Sequence, residues 1–297
     1  MRFGVTLPNT GYGGDPATLI QLAVDAEEAG WDGVFFWDTS YAAAPDEPVM
    51  EFADAWVLLS GVALRTERVR LGTMLTPLAW HRPWLIARQA ATVDRLSGGR
   101  LTLSVGLGAP DDKGPWFGGD EFDRRTRAAM LDEALAVLEG LWSGEPFAFD
   151  GEHFSTREVT FLPPPVQRPR IPIWVVGAWP RDPGMWPRRK SMRRAIRYDG
   201  LLPNVFGADG QMLFDATPDE ALDDLRAMSE WVARERDGTE SYDIVIERSL
   251  PDVDAAEVSR WEEAGATWWL DDAWWEMYGA PDDPEPLRRR VLRGPPR

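Results

Sequence analysis

Short apolar runs of six to nine residues alternate along the chain with longer stretches in which apolar residues recur every three or four positions. The first run, RFGVTLP at 2–8, is close to continuously apolar, the pattern of a strand covered on both faces. It is followed by DPATLIQLAVDAEEAG at 15–30, which reads as an amphipathic helix with Asp15 as N-cap, Pro16 in the first turn and Gly30 at its end. The couplet recurs. Strands are predicted at 33–38, 69–77, 101–108, 171–178, 200–205, 242–247 and 266–272. Helices are predicted at 53–65, 82–99, 122–142, 190–198, 219–236, 254–264 and 285–293. Eight strand–helix units predict an α/β chain, a (β/α)8 TIM barrel in preference to an open doubly wound sheet. No Gly/Ser linker interrupts the pattern, so residues 1–297 are expected to form a single barrel domain. One segment departs from the pattern. FAFDGEHFSTREVTF alternates with period two around Asp150-Gly151, which predicts a hairpin insertion at about 147–162.

Composition narrows the functional classes. The net charge is −17, which argues against nucleic acid or an anionic membrane as a main partner. No cysteine is present, so disulfides, thiolate metal sites and cysteine nucleophiles are excluded, and a reducing cytoplasm is the expected location. No run approaches the ~18 apolar residues of a membrane span, and MRFGVTLPNTGYGG does not read as a secretory leader. His81 and His153 are the only histidines, so a His-rich metal site is not expected. Against this acidic background, seven basic residues and one acid lie between Arg181 and Arg197, a local charge of +6.

A barrel of this kind places its chemistry at the carboxyl ends of its strands. Those ends bring forward Trp37, Asp38 and Thr39; Thr73, Met74 and Thr76; Gly106, Leu107 and Gly108; Gly177, Ala178 and Trp179; then Asn204, Glu247, Asp271 and Asp272. The set is apolar and aromatic with few titratable groups, and the chain has no Ser–His–Asp spacing, no HExxH and no P-loop. Such a mouth suits a planar redox cofactor that carries its own chemistry, with a small-molecule substrate beside it. The stretch 108–121, GAPDDKGPWFGGDE, reads as a substrate loop or lid.

Three stretches carry a resemblance: AGWDGVFFWD from Ala29, TERVRLGTMLTPLAWHRPWLIARQAATVDRLSGGRLTLSVGLG from Thr66, and PPPVQRPRIPIWVVGAWPR from Pro163 with MRRAIRYDGLLP from Met192. They resemble the luciferase-like monooxygenase family, barrel oxidoreductases that use a flavin or deazaflavin. The resemblance implies a bacterial-luciferase-like barrel, FMN or F420 as cofactor, and hydride transfer or monooxygenation of a small organic substrate. It implies a bulge with a non-prolyl cis peptide among Thr73, Met74 and Leu75, and backbone room beside the ring at Gly106–Gly108. It also implies a phosphate site at Gly177, Ala178 and the helix start beyond, with Arg181 and Arg188 as anion-binding candidates. Trp37 and Trp179 are the favoured pocket walls, with Trp80 and Trp116 as further candidates. Dimerisation is common in the family, so a homodimer is compatible with the reading.

Two departures keep a second reading open. F420-dependent dehydrogenases of the family place a His after the Asp that matches Asp38, and a Glu after the strand-four GxG; here these positions are Thr39 and Ala109. A member that binds flavin or another ligand without turnover is therefore the alternative. Asp38, Thr39 and His81 are the catalytic candidates, and no metal ligand is expected. Arg189, Arg193 and Arg197 recur every four residues opposite Met192, Ala195 and Ile196, so an ordinary amphipathic helix explains the basic stretch as well as an anion site does. Glu247 is read as either a buried ion-pair partner for an arginine, the favoured reading, or a substrate group, and His153 is read as structural.

Overall fold

The structure, a computed structural model, describes residues 1–10, 15–38, 51–108, 123–182, 184–185, 190–207, 209, 212–213, 216–236, 241–248, 253–272 and 283–296. Parallel strands β1 (Arg2–Leu7), β2 (Gly33–Phe36) and β3 (Arg70–Thr73) stand side by side. β4 (Thr76–Pro77) continues the stave of β3 after a corner in which the Met74–Leu75 peptide is cis, as the resemblance implies. β5 (Leu101–Gly106) pairs with both β3 and β4. Beyond the antiparallel hairpin β6 (Pro146–Asp150) and β7 (Ser155–Thr160) come β8 (Ile173–Pro180), β9 (Gly200–Phe206), β10 (Asp243–Glu247) and β11 (Trp268–Asp271). β11 pairs back onto β1, and the β3–β5 pairing leaves no free edge. The result is a closed eight-stave parallel barrel, the predicted fold class.

Helices α1 (Pro16–Glu28), α2 (Ala55–Arg65), α3 (Pro83–Leu96), α4 (Arg124–Trp142), α5 (Lys190–Ala195), α6 (Pro218–Glu235), α7 (Ala255–Glu263) and α8 (Glu285–Leu292) alternate with the staves. Asp15 caps α1 as expected, its carboxylate accepting the N–H groups of Ala17 and Thr18. The hairpin is tied down by Glu133 of α4. Its carboxylate accepts the backbone N–H groups of Glu152, His153 and Phe154, each at 2.9 Å, and those contacts hold it below the usual carboxylate range although burial opposes them.

The barrel interior is filled by aromatics. Phe35 stacks on Trp174 at 5.5 Å and meets the Trp268 edge at 6.1 Å, while Trp174 and Trp268 lie 5.4 Å apart. Glycines make room for them: a Cβ on Gly4, Gly33 or Gly72 would come within 3.0 Å of the Phe35 ring. Below these rings the Arg2 guanidinium sits 4.6 Å over Trp268 and pairs with Asp243, which also accepts from the Trp174 indole at 3.2 Å. Arg2 and Asp243 thus fill the lower end of the barrel beneath the aromatic rings. Among the described residues no helix is long and apolar enough to cross a membrane.

Candidate functional site

Alternation along each stave decides which side chains reach the opening. Val34 and Phe36 pack outward against the helices, while Phe35 packs inward. Beyond them β2 delivers Trp37, half-buried, and Asp38. Asn9, at the end of β1, fixes this corner. Its amide donates to the carbonyls of Trp37 at 2.9 Å and Ala53 at 2.7 Å, and its Oδ1 accepts the Trp37 N–H.

Asp38 is the hub of the site. One carboxylate oxygen, Oδ2, accepts the indole N–H of Trp56 at 2.9 Å and the hydroxyl of Thr76 at 2.8 Å. The same oxygen lies 3.3 Å from Nε2 of His81. Thr76 in turn lies 2.9 Å from the Thr73 hydroxyl, and both threonines are fully buried. Thr73 and Thr76, expected beside a ring, thus hold Asp38 from behind. The turn at Leu78–Trp80 after β4 carries His81, a catalytic candidate in sequence, onto Asp38 from the neighbouring stave. Hydrogen bonds to a charged acceptor are worth about 1.5–3 kcal/mol each, so this carboxylate is held in one orientation.

The floor beside Asp38 is apolar. Met74 is buried in the inner cluster. A Cβ on Gly106 would meet the Leu75 side chain at 3.0 Å and Val176 at 3.1 Å, so these residues leave a level surface only because Gly106 has none. Gly108 has φ +85°, and a Cβ there would meet the Trp80 ring at 2.9 Å. Leu107 accepts a hydrogen bond from the buried Arg127 at 2.8 Å through its carbonyl, and that guanidinium lies 5.6 Å from the Trp80 centroid. Trp80 therefore packs at the rim against Gly108 and Arg127. Deeper down, the hydroxyls of Thr6 and Ser104 are buried on inward-facing positions with no hydrogen-bond partner.

The β8 side corrects several expectations. Trp179, taken as a pocket wall, is fully buried and faces outward, 6.2 Å from Trp231 of α6. Gly177 also faces outward. A Cβ there would lie 2.4 Å from Leu201 and 2.6 Å from the Met192 sulfur, so its smallness serves the packing of α5 on the sheet. Ala178 faces inward, and its N–H donates to the Ser191 hydroxyl at 3.0 Å. The Arg181 guanidinium is engaged by α6, with Asp224 at 3.0 Å and Glu220 at 3.4 Å. Arg194 is buried against Asp132 of α4. Lys190, Arg193 and Arg197 are exposed, as an amphipathic helix requires. Thr39, Ala109, Trp116, Arg188 and Arg189 lie outside the described residues, as does most of the loop at 108–121.

The far strands differ from expectation as well. Asp271 faces outward and pairs with Arg290 of α8 at 2.8 Å. Glu247 has no arginine partner among the described residues. Its side chain is exposed at the carboxyl end of β10. Desolvation, reinforced by the negative charge of Asp272, pushes it up to about 7. Nothing local in the sequence marked this, because an unpartnered acid is defined by which cations fail to reach it.

Among the described residues no group of three His, Asp or Glu side chains is placed to hold a metal ion. Among the described residues, two surface depressions, each of about 410 Å³, lie elsewhere: one at the amino end beside Met1 and Glu262, the other between Trp84 and the hairpin. Asp38, His81 and Glu247 all lie at the carboxyl ends of their staves, where the candidate site is placed.

Comparison with known proteins agrees with this architecture. Residues 1–182 match the family described as luciferase-like monooxygenase. An uncharacterized protein of Mycobacterium bovis is 31% identical over 229 residues, covering 77% of this chain and 72% of the relative. An F420-dependent glucose-6-phosphate dehydrogenase of Beutenbergia cavernae is 36% identical over 159 residues, but this match covers 53% of this chain and only 45% of that enzyme. Among solved structures, an F420-dependent secondary alcohol dehydrogenase in complex with an F420–acetone adduct aligns with TM-score 0.69 at 20% identity, covering 98% of this chain and 99% of that one. The oxygenating constituent of 3,6-diketocamphane monooxygenase from Pseudomonas putida, in complex with FMN, aligns with TM-score 0.60 at 19% identity, covering 84% and 67%. The match over residues 1–182 and the 31%-identical relative place this chain in the luciferase-like monooxygenase family, with which the closed barrel agrees.

Proposed function

We propose that this protein is a deazaflavin- or flavin-dependent oxidoreductase acting on a small organic substrate, with F420 favoured over FMN. The observation that carries the reading is the Asp38 hub: a carboxylate fixed by Trp56 and Thr76, with His81 at 3.3 Å, beside the apolar floor of Leu75, Gly106 and Val176. These residues fit a flat tricyclic cofactor, which needs an apolar surface without protruding side chains. The orphaned Ser104 hydroxyl, one inward step below Gly106, offers a hydrogen bond that nothing in the protein takes up. F420 is favoured because several relatives above 30% identity are named F420-dependent dehydrogenases. When bound, such a cofactor supplies hydride transfer.

The chain's own residues supply the rest. Leu75, Gly106 and Val176 support the ring, and the backbone around Ala178 borders the expected phosphate position. Asp38 holds His81 through Nε2 at 3.3 Å, and the Asp38–His81 pair holds or passes a proton at the substrate oxygen. His81 thus offers an imidazole next to Asp38 although position 39 is threonine. That favours turnover over ligand binding alone. We read the chain as one barrel domain with the hairpin inserted, acting in the cytoplasm. Exposed Val57 and Leu64 of α2 with Leu85 of α3 form an apolar surface compatible with a homodimer, which light scattering after gel filtration would detect.

Titration with F420 and with FMN, read by quenching of tryptophan fluorescence and then by bleaching or recovery of cofactor absorbance with a panel of alcohols and carbonyl compounds, tests the reading. Binding of either cofactor followed by redox turnover is expected. Failure of both to bind overturns it, and binding without turnover across the panel returns the alternative. Asp38→Asn is expected to lower turnover about 10²-fold, the lower range of general acid–base contributions. Cofactor affinity should stay nearly unchanged, so the loss falls on turnover.

A further inference from the structure

The oxidoreductase reading leaves the substrate class open, and the β10–β11–β1 side of the opening bears on it. Val245 packs in the inner cluster, so Glu247, two residues on, faces the barrel axis. Its register partner on β11 is Leu270, also inward, and Asp272 continues that face. On the adjoining β1, Val5 pairs with Asp271, which sets the inward Thr6 beside Asp272. Thr6 is 1% exposed, and its hydroxyl has no partner. Glu247 likewise makes no hydrogen bond or ion pair among the described residues. Two nearby cations among the described residues are turned away. Arg248, the next residue, lies 4.9 Å over the outward ring of Trp261, and Arg290 pairs with Asp271 on the outer face. On the other flank, β9 offers Asn204, which carries no charge.

We infer that Glu247 is the recognition site for the ammonium group of an amine-bearing substrate, with the Thr6 hydroxyl available to a second polar group of the same molecule. This rests on the oxidoreductase reading for what happens next, but the binding event itself does not. An ammonium carries three donors and one positive charge, and it satisfies a lone carboxylate with a negative neighbour better than a hydroxyl does. A phosphorylated sugar, the substrate named for several relatives, meets repulsion here in place of a basic cradle.

The sign of the pH dependence follows. Glu247 titrates near neutrality, raised by desolvation and by Asp272 on β11; the β9 side adds no titratable group, and Arg248 on its own strand faces outward. Below about pH 7 the carboxyl is protonated and its attraction for a cation is lost, while an alkylammonium stays charged throughout. Calorimetric binding of hexylamine, hexan-1-ol, hexanoate and glucose 6-phosphate to the cofactor-loaded protein and to the protein alone tests the inference. Hexylamine is expected to bind best, with affinity rising about tenfold between about pH 6 and about pH 8, as expected when a carboxyl with a pKa near 7 must be ionised. Glu247→Gln should remove that rise and weaken hexylamine by about tenfold, a loss typical of one charge-assisted contact, and leave hexan-1-ol unchanged. Hexanoate or glucose 6-phosphate binding as tightly as hexylamine, or a Glu247→Gln variant of unchanged affinity, overturns it. An unchanged circular dichroism spectrum for the variant excludes misfolding as the cause. If hexylamine binds through Glu247 while neither F420 nor FMN binds, the oxidoreductase reading falls and this one stands. If a cofactor binds and hexylamine does not, the reverse holds.

Discussion

Replacing Arg290 by methionine is expected to destabilise the protein by about 3–5 kcal/mol, because it strands Asp271 as an uncompensated buried charge. Arg290 and Asp271 are 6% and 4% exposed and lie 2.8 Å apart. Around this pair α8 is fastened to the start and end of the barrel at once. The Arg290 guanidinium covers the Trp31 ring at 5.0 Å and donates to the Gly294 carbonyl. The Trp31 indole donates to the Val291 carbonyl, and Arg288 reaches Asp25 of α1 at 3.0 Å. Urea unfolding should show a lower midpoint with little change in slope. The double variant Arg290→Met with Asp271→Leu should recover most of the loss, since removing both charges avoids the penalty of leaving one. Equal losses for the single and double variants would mean that α8 is held by packing alone.

Phe35→Ala is expected to cost about 3–5 kcal/mol, the range for emptying a fully buried aromatic site. Phe35 is the centre of the interior, in contact with Trp174 and Trp268, and has no exposure. Gly33→Ala alone should cost about 1–3 kcal/mol by overpacking, because its Cβ would press on the Phe35 ring at 2.8 Å and on Trp268 at 3.0 Å. In the Phe35→Ala background the same substitution should be close to neutral, since the ring it collides with has gone and the added methyl fills part of the void. A double-mutant cycle by urea unfolding reads this coupling directly. Additive losses would show that Gly33 is required for its backbone and not for the space it leaves.

Much of the scaffold was legible from the chain. The run at 2–8, the Asp15–Pro16 helix start and the alternation around Asp150-Gly151 are local signals, and each appears where expected with boundaries shifted by a residue or two. The strand predicted at 69–77 was legible as one stave, though not its division into β3 and β4. Asp38 was legible as a residue at a strand end. Its partners were not, because Trp56, Thr76 and His81 come from three different segments that only barrel closure brings together.

Taken alone, the order of apolar runs and caps determined that this chain alternates strands and helices eight times and which residues end each strand. Only the tertiary structure decided which of those residues look into the opening. A strand buried on both faces is apolar at odd and even positions alike, so its period of two is visible while its phase is not. That is why Trp179 and Gly177 prove to face the helices, why Arg181 is taken by Asp224, and why Glu247 faces the axis with no cation beside it among the described residues.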